Sequence, residues 1–277
     1  MAHFRFRRSF GNVGSRFRGA RPDTYPITTL DPDVQAFKEE SGATDLSGLN
    51  NLVKYLKGEG LYDDFVIYPK IGNQNAGSGT TVYSLGGLTT NNKTPINTPT
   101  WNATTGITYD GVSEYDTAAD FLANDTTTIF ARLTPLSIGS GQFFAGQYDF
   151  AADKRNISLR ATGTDQVLLQ RSSDGTGANL EQYSSTETLA MVDQCLVSQW
   201  VNGGGRSAWR NKTALTMSLV NGSAQTSGFN TDALVTGAGD ATGGVAANVT
   251  YTAEAYLSGA LPTTTQRETI TDLINAL

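Results

Sequence analysis

The amino-acid sequence predicts a one-domain, mostly β protein. The expected architecture is an antiparallel sandwich with one short helix before and one after the sheets, preceded by an extended N-terminal arm. Three observations predict it. Hydrophobic residues make up 38% of the 277 residues and charged residues only 17%, with 30 glycines. That mix is poor in helix formers and rich in turn formers. Short apolar runs recur between turn signals along most of the chain, the pattern of a sandwich or barrel. Helical periodicity is confined to two stretches, one on each side of those runs.

Residues 1–45 read as an arm and linker, and residues 46–277 as the sandwich domain. Pro22, Pro26 and Pro32 favour an extended linker, in which DPDVQAFKEE has the makings of a short helix. Leu49, Leu52, Val53 and Leu56 then fall at i, i+3, i+4 and i+7, one apolar helical face stopped by Gly58 and Gly60. VIYP (66–69) reads as the first strand. The stretch 70–100 is polar, so loops are expected around a short YSLGG element. ITYDG, TTTIFARL, GQFFAGQ, NISLRA, QVLLQRS, CLVSQWV, SAWRNK, ALTMSLV and VTYTAEAYLS follow as strands. In TTTIFARL, Ile129, Ala131 and Leu133 alternate with Thr128, Phe130 and Arg132. The closing helix carries Ile270, Leu273, Ile274 and Leu277 on one stripe, with Thr265 and Glu268 as its expected capping box. GAGDATGG (237–244) has the wrong glycine spacing for a dinucleotide fingerprint and reads as a loop.

Charge divides the chain. Arg5, Arg7, Arg8, Arg16, Arg18 and Arg21 lie before the first acid, Asp23. The remainder carries 14 basic against 26 acidic residues, a net of −12. Phe4, Phe6, Phe10 and Phe17 interleave with the arginines. Such an arm can grip phosphates and stack on bases, or lie in a groove of a partner protein with Phe as anchor and Arg as ion-pair donor. The protein partner is the expected one. There is no apolar signal-peptide core and no run of 18 apolar residues, so neither secretion nor a membrane span is expected.

The order of motifs resembles the concanavalin A-like (laminin-G-like) domains of tailed-bacteriophage and prophage structural proteins. Leu61, Tyr62, Asp63, Tyr68, Pro69 and Gly72 match the opening motif of that family. Tyr109, Asp110, Gly111 and Tyr115 resemble its strand pair, and Trp209, Arg210 and Asn211 its hairpin, with Lys212 where the family has a turn glycine. The resemblance covers residues 46–277. It implies a jelly-roll sandwich in a virion protein made in the host cytoplasm: a capsid decoration, head-fibre or tail accessory protein, oligomeric in the particle. Its partners would be capsid, portal, tail or baseplate proteins, held through Phe4, Arg5, Phe6, Arg7, Arg8, Phe10, Arg16, Phe17 and Arg18. The alternative is a receptor- or glycan-binding adhesion module of a tail fibre.

Catalysis is not expected. The single histidine, His3, lies in the arm, so the sandwich has no Ser-His-Asp or Cys-His site. Paired carboxylates of a glycosidase are also missing; Glu114 and Asp116 come nearest and read as surface-loop acids. A calcium ion would draw on Asp110, Glu114 and Asp116, but no EF-hand or RTX pattern accompanies them, and no cofactor is expected. Cys195 reads as a buried thiol. Trp200 and Trp209 sit inside strand-like runs and suit a core. Trp101, after a polar loop, reads as an exposed aromatic, and with Asn102 and Asn92 it forms the expected glycan-binding group.

Overall fold

The computed structural model describes residues 29–69, 74–88, 91–119, 126–138, 142–149, 154–172, 180–201, 204–222, 234–238 and 246–277. The arm residues and most of the glycine loop at 237–244 lie outside them.

In chain order the elements are α1 (Pro32–Ser41), α2 (Ser47–Gly58), β1 (Phe65–Pro69), β2 (Thr94–Ile96), β3 (Thr100–Asn102), β4 (Gly106–Asp110), β5 (Tyr115–Ala118) and β6 (Thr127–Pro135). Then come β7 (Phe143–Asp149), β8 (Lys154–Ala161), β9 (Gln166–Ser172), β10 (Leu180–Thr188), β11 (Gln194–Trp200) and β12 (Arg206–Arg210). The chain closes with β13 (Thr213–Leu215), β14 (Met217–Asn221), β15 (Leu234–Thr236), β16 (Asn248–Ser258) and α3 (Thr264–Asn275). The strands form two antiparallel eight-stranded sheets. The first runs β13-β12-β11-β6-β16-β4-β3, with β1 also on β16; the second runs β14-β10-β9-β8-β7-β15-β5-β2.

Two helices, not one, precede the sheets. Residues at the end of the expected linker form α1 because Asp31 accepts from Asp33 N, Pro32 occupies the first turn, and Gly42 closes the helix with a left-handed φ of 67°. Val34 and Phe37 then pack with the α2 stripe. α3 is capped by Thr263 and Gln266 rather than Thr265 and Glu268: the Thr263 side chain accepts from Gln266 N, and the Gln266 side chain from Thr263 N. The box sits two residues earlier because Pro262 already directs the chain into the helix there. No helix among the described residues is long and apolar enough to cross a membrane.

The first sheet is buried on two sides. Ile129, Ala131 and Leu133 face the second sheet, while Phe130 faces the helices. The long central strand β16 behaves likewise, with a change of phase. Val249 and Tyr251 point into the inter-sheet core, a bulge follows at Thr252, and thereafter Tyr256 points inward while Ala253, Ala255 and Leu257 meet the helices. The single extra residue reverses the parity of the strand. The hairpin of β12 and β13 closes with Lys212 in its turn, because Asn211 supplies the left-handed φ of 54° that a family glycine would have given.

Candidate functional site

The helices cover only one end of the outer face of the first sheet. Beneath them that face is apolar: Phe65, Ile67, Phe130, Cys195, Val197, Ala253, Ala255 and Leu257. Past the bulge it turns polar, and among the described residues no layer lies over it. Thr100, Thr108, Thr250 and Thr134 stand directly opposite one another across β3, β4, β16 and β6. Ile107, Tyr109, Val249 and Leu133, their strand neighbours, point into the inter-sheet core, so the threonines share the outer face. Thr108 Oγ1 and Thr250 Oγ1 lie 2.7 Å apart. The four positions follow the inter-strand repeat of roughly 4.8 Å, and the two central hydroxyls are bonded to each other.

A cleft of about 360 Å³ borders this row, lined by Thr104, Thr105, Arg132, Thr134, Asp193, Thr252 and the C-terminal residues Asn275–Leu277. Arg132 is held there in a two-pronged pair with Asp193: Nε to Oδ1 is 3.1 Å and Nη2 to Oδ2 is 2.7 Å. The wall at Thr104 and Thr105 is the β3–β4 turn. Asn102 Oδ1 accepts from Thr104 N at 2.9 Å and Thr105 N at 3.0 Å, and Thr252 Oγ1 donates to Thr105 O at 3.1 Å. The turn can approach β16 only through Gly106. Its φ is +109°, and a Cβ there would stand 1.9 Å from Tyr251 O. Hydroxyls that both donate and accept, threonine methyls, a guanidinium and a carboxylate line one shallow surface. That set matches the alternating hydroxyl edges and C–H faces of a sugar ring.

The expected group of Trp101, Asn102 and Asn92 does not share a face. Trp101 pairs with Ile107 and packs half-buried on the inter-sheet core, because its position in β3 turns it inward. Asn102, the next residue, stands exposed on the outer side at the rim of the cleft. Asn92 Oδ1 is engaged by Ser84 N at 2.9 Å and Ser84 Oγ at 3.1 Å. Trp200 is fully buried as expected. Trp209 lies against the helix layer with the Arg267 guanidinium 4.0 Å from its ring centre. Cys195 is buried, and desolvation pushes its thiol up to about 12.

Asp116 is not a loop acid. It lies in β5 with no solvent exposure, and Lys93 Nζ is 3.1 Å from its Oδ1. The same ammonium is 2.5 Å from Glu254 Oε2 and bonds Thr236 Oγ1. Thr236 and Tyr256 donate to Glu254 at 2.9 and 3.3 Å, and Tyr109 donates to Asp116 Oδ2 at 2.5 Å. Tyr68, Tyr109, Tyr251 and Tyr256 are all held well above the ordinary phenol value, first by burial and then by the charges of Glu254 and Asp116. This group fills the space between the sheets. Residue spacing hid it, since Lys93 and Glu254 are 161 residues apart. The one local signal was an acid standing inside the apolar run VTYTAEAYLS. Asp110, expected beside Asp116, instead caps its own turn, with Oδ1 accepting from Val112, Ser113 and Glu114 N. Among the described residues no group of three or more His, Cys, Asp or Glu side chains is placed to hold a metal ion.

No sequence family matches the chain, and no curated protein matches it in sequence. Similarity lies with solved structures. Trypanosoma rangeli sialidase superposes with a TM-score of 0.55 at 14% identity, over 82% of this chain and 39% of the sialidase. The same enzyme in complex with sialic acid gives 0.53 at 13% identity, over 83% and 39%. Botulinum neurotoxin type C, whose uptake by cells depends on interaction with two ganglioside molecules, gives 0.57 at 6% identity, over 78% of this chain and 53% of that one. The chain spans well under two thirds of the length of either protein. With two eight-stranded antiparallel sheets packed face to face, this protein is an antiparallel β-sandwich, the fold it shares with those structures.

Proposed function

We propose that the protein is a non-catalytic carbohydrate-binding module whose site is the uncovered threonine face and its bordering cleft. One observation carries the reading: a single sheet face is apolar where helices cover it and lined with hydroxyls and an ion pair where none of the described residues covers it. Proteins that contain a sandwich of this fold include a sialidase solved in complex with sialic acid and a neurotoxin whose cell entry depends on gangliosides, which supports a sugar as the ligand class. The motif order at 46–277 supports a setting on a tailed-phage particle, with residues 1–25 as the attachment to capsid or tail proteins.

Binding to a glycan array tests this directly. Arg132→Ala and Thr134→Val should each weaken the best hit by about tenfold, the loss of one good hydrogen bond, more where the partner is charged. Trp101→Ala should lower stability and leave sugar affinity nearly unchanged. An array without hits, or hits indifferent to both cleft variants, removes the reading. Turnover of a polysaccharide abolished by a single carboxylate substitution would replace it with an enzyme.

A further inference from the structure

Buried lysines are rare, and one wedged against two carboxyl groups in a solvent-shielded core has a chemical outcome besides an ion pair. Lys93, Asp116 and Glu254 have no solvent exposure, and the Nζ atom touches an oxygen of each acid. We propose that Lys93 Nζ and Asp116 Cγ are joined by an intramolecular isopeptide bond, formed with Glu254 as the proton carrier. The reading is independent of sugar binding.

The three groups are arranged for distinct roles. Glu254 Oε2 lies 2.5 Å from the nitrogen and is oriented by Thr236 Oγ1 and Tyr256 OH, so it is placed to take a proton from the ammonium. Asp116 turns Oδ1 toward the nitrogen at 3.1 Å, while Tyr109 OH holds Oδ2 at 2.5 Å. That phenol keeps its proton because burial raises it well above its ordinary value, so it stays a donor and draws electron density from the carboxyl carbon. The Lys93 side chain is clamped with Nζ 4.6 Å from the centre of the Tyr68 ring and 5.8 Å from that of Tyr256. Fixing amine and carboxyl in contact is worth an effective concentration on the order of 10⁵ M or more.

The step balances as a condensation. The ammonium passes protons through Glu254, and the freed amine lone pair attacks Asp116 Cγ. A nitrogen–carbon bond forms and the Cγ–Oδ1 bond breaks. Oδ1 leaves as water with two of the three ammonium protons. The third stays on the amide nitrogen, Oδ2 becomes the amide oxygen under Tyr109, and Glu254 is regenerated. One cation and one anion disappear from a site shielded from bulk solvent, which favours the product. The bulge at Thr252 is what turns Glu254 inward to this point.

Intact mass spectrometry of the unfolded full-length protein decides the matter. The expected mass is that of the sequence less one water, and proteolysis should yield the Lys93 peptide joined to the Asp116 peptide. Lys93→Arg and Glu254→Gln should restore the full mass. Asp116→Asn should stay cross-linked but lose ammonia in place of water. Wild-type protein at its full sequence mass, with the two peptides separate, overturns the proposal; so does a joined peptide running through Glu254. The wild-type measurement stands even where a variant fails to fold.

Discussion

Arg206 and Glu181 tie the two sheets together from opposite sides of the core. Arg206 Nη2 is 3.0 Å from Glu181 Oε2, and both side chains are fully buried. Nη1 also donates to Val201 O and Gly204 O, and the guanidinium lies over the Trp200 ring. Each charge is tolerated only because the other is present. Glu181→Ala should therefore cost about 3–5 kcal/mol, far more than loss of an exposed pair, because it strands a buried cation. Denaturant unfolding checks this, with a fall in midpoint at unchanged slope. At this scale the sequence was least legible. An acid such as Asp116 reads as a loop residue until Lys93, brought from an adjoining loop, and Glu254, brought from the last strand, reveal what surrounds it. Trp101 was misjudged for a related reason: composition marks a loop as polar, but strand parity decides which way a side chain faces.

Elements with a strong period were readable, and those without one were not. The α2 stripe is a physical consequence of burial on one face; the alternation in β6 separates Ile129, Ala131 and Leu133, which face the second sheet, from Phe130, which meets the helices, and both patterns appear in the sequence. β10, LEQYSSTET, shows no alternation and little β-branched apolar content, yet it forms nine residues of strand because β9 and β14 pair with both its edges. ALTMSLV, read as one strand, divides at Thr216 into β13 and β14, which belong to different sheets. Two predictions belong here. Lys57 bridges Asp31 and Asp33 at 2.6 and 2.7 Å and clasps α1 to α2. The Lys57 hydrogen bond holds Asp33 below its ordinary 3.8 despite some desolvation, so the clasp stabilises above that value and is lost as pH falls through the lower folded value. Amide exchange in α1 should accelerate on acidification through that range, and Lys57→Ala should abolish the difference; the sites are partly exposed, so the effect is below about 1 kcal/mol. Gly106→Ala should cost about 1–3 kcal/mol from the backbone alone. It should also detach the β3–β4 turn and weaken sugar binding with it, measurable as paired losses in thermal midpoint and affinity.

For the molecule as a whole, the sandwich and the helix layer share the first sheet, so they should unfold as one unit. The arm carries the opposite charge to the net −12 of the rest, which gives it reason to seek another surface. On the proposed function and setting, removing residues 1–25 should leave a folded protein that binds sugar as before and no longer joins the phage particle. Co-sedimentation with particles, beside circular dichroism of the truncated chain, checks both halves. Within the arm, Phe4, Phe6 and Phe10 to Ala should weaken attachment more than Arg5, Arg7 and Arg8 to Gln, because a buried phenylalanine is worth roughly 1.5–3 kcal/mol and an exposed ion pair about 0–1.

The position of β16 has a consequence for how the protein is made. It pairs with β6 on one side and with β1 and β4 on the other, yet among the described strands it is the last to leave the ribosome. Until residues 248–258 emerge, β6, β1 and β4 have unsatisfied edges, and the apolar stripes of α1 and α2 have only part of a sheet to cover. The growing chain therefore carries open, adhesive strand edges until then, and the first sheet closes only after β16 has emerged. With partners separated by most of the chain's length, that closure is a slow step. Yield in a heterologous host should then be governed by how well unfinished chains are kept apart, and slower synthesis at lower temperature should raise it.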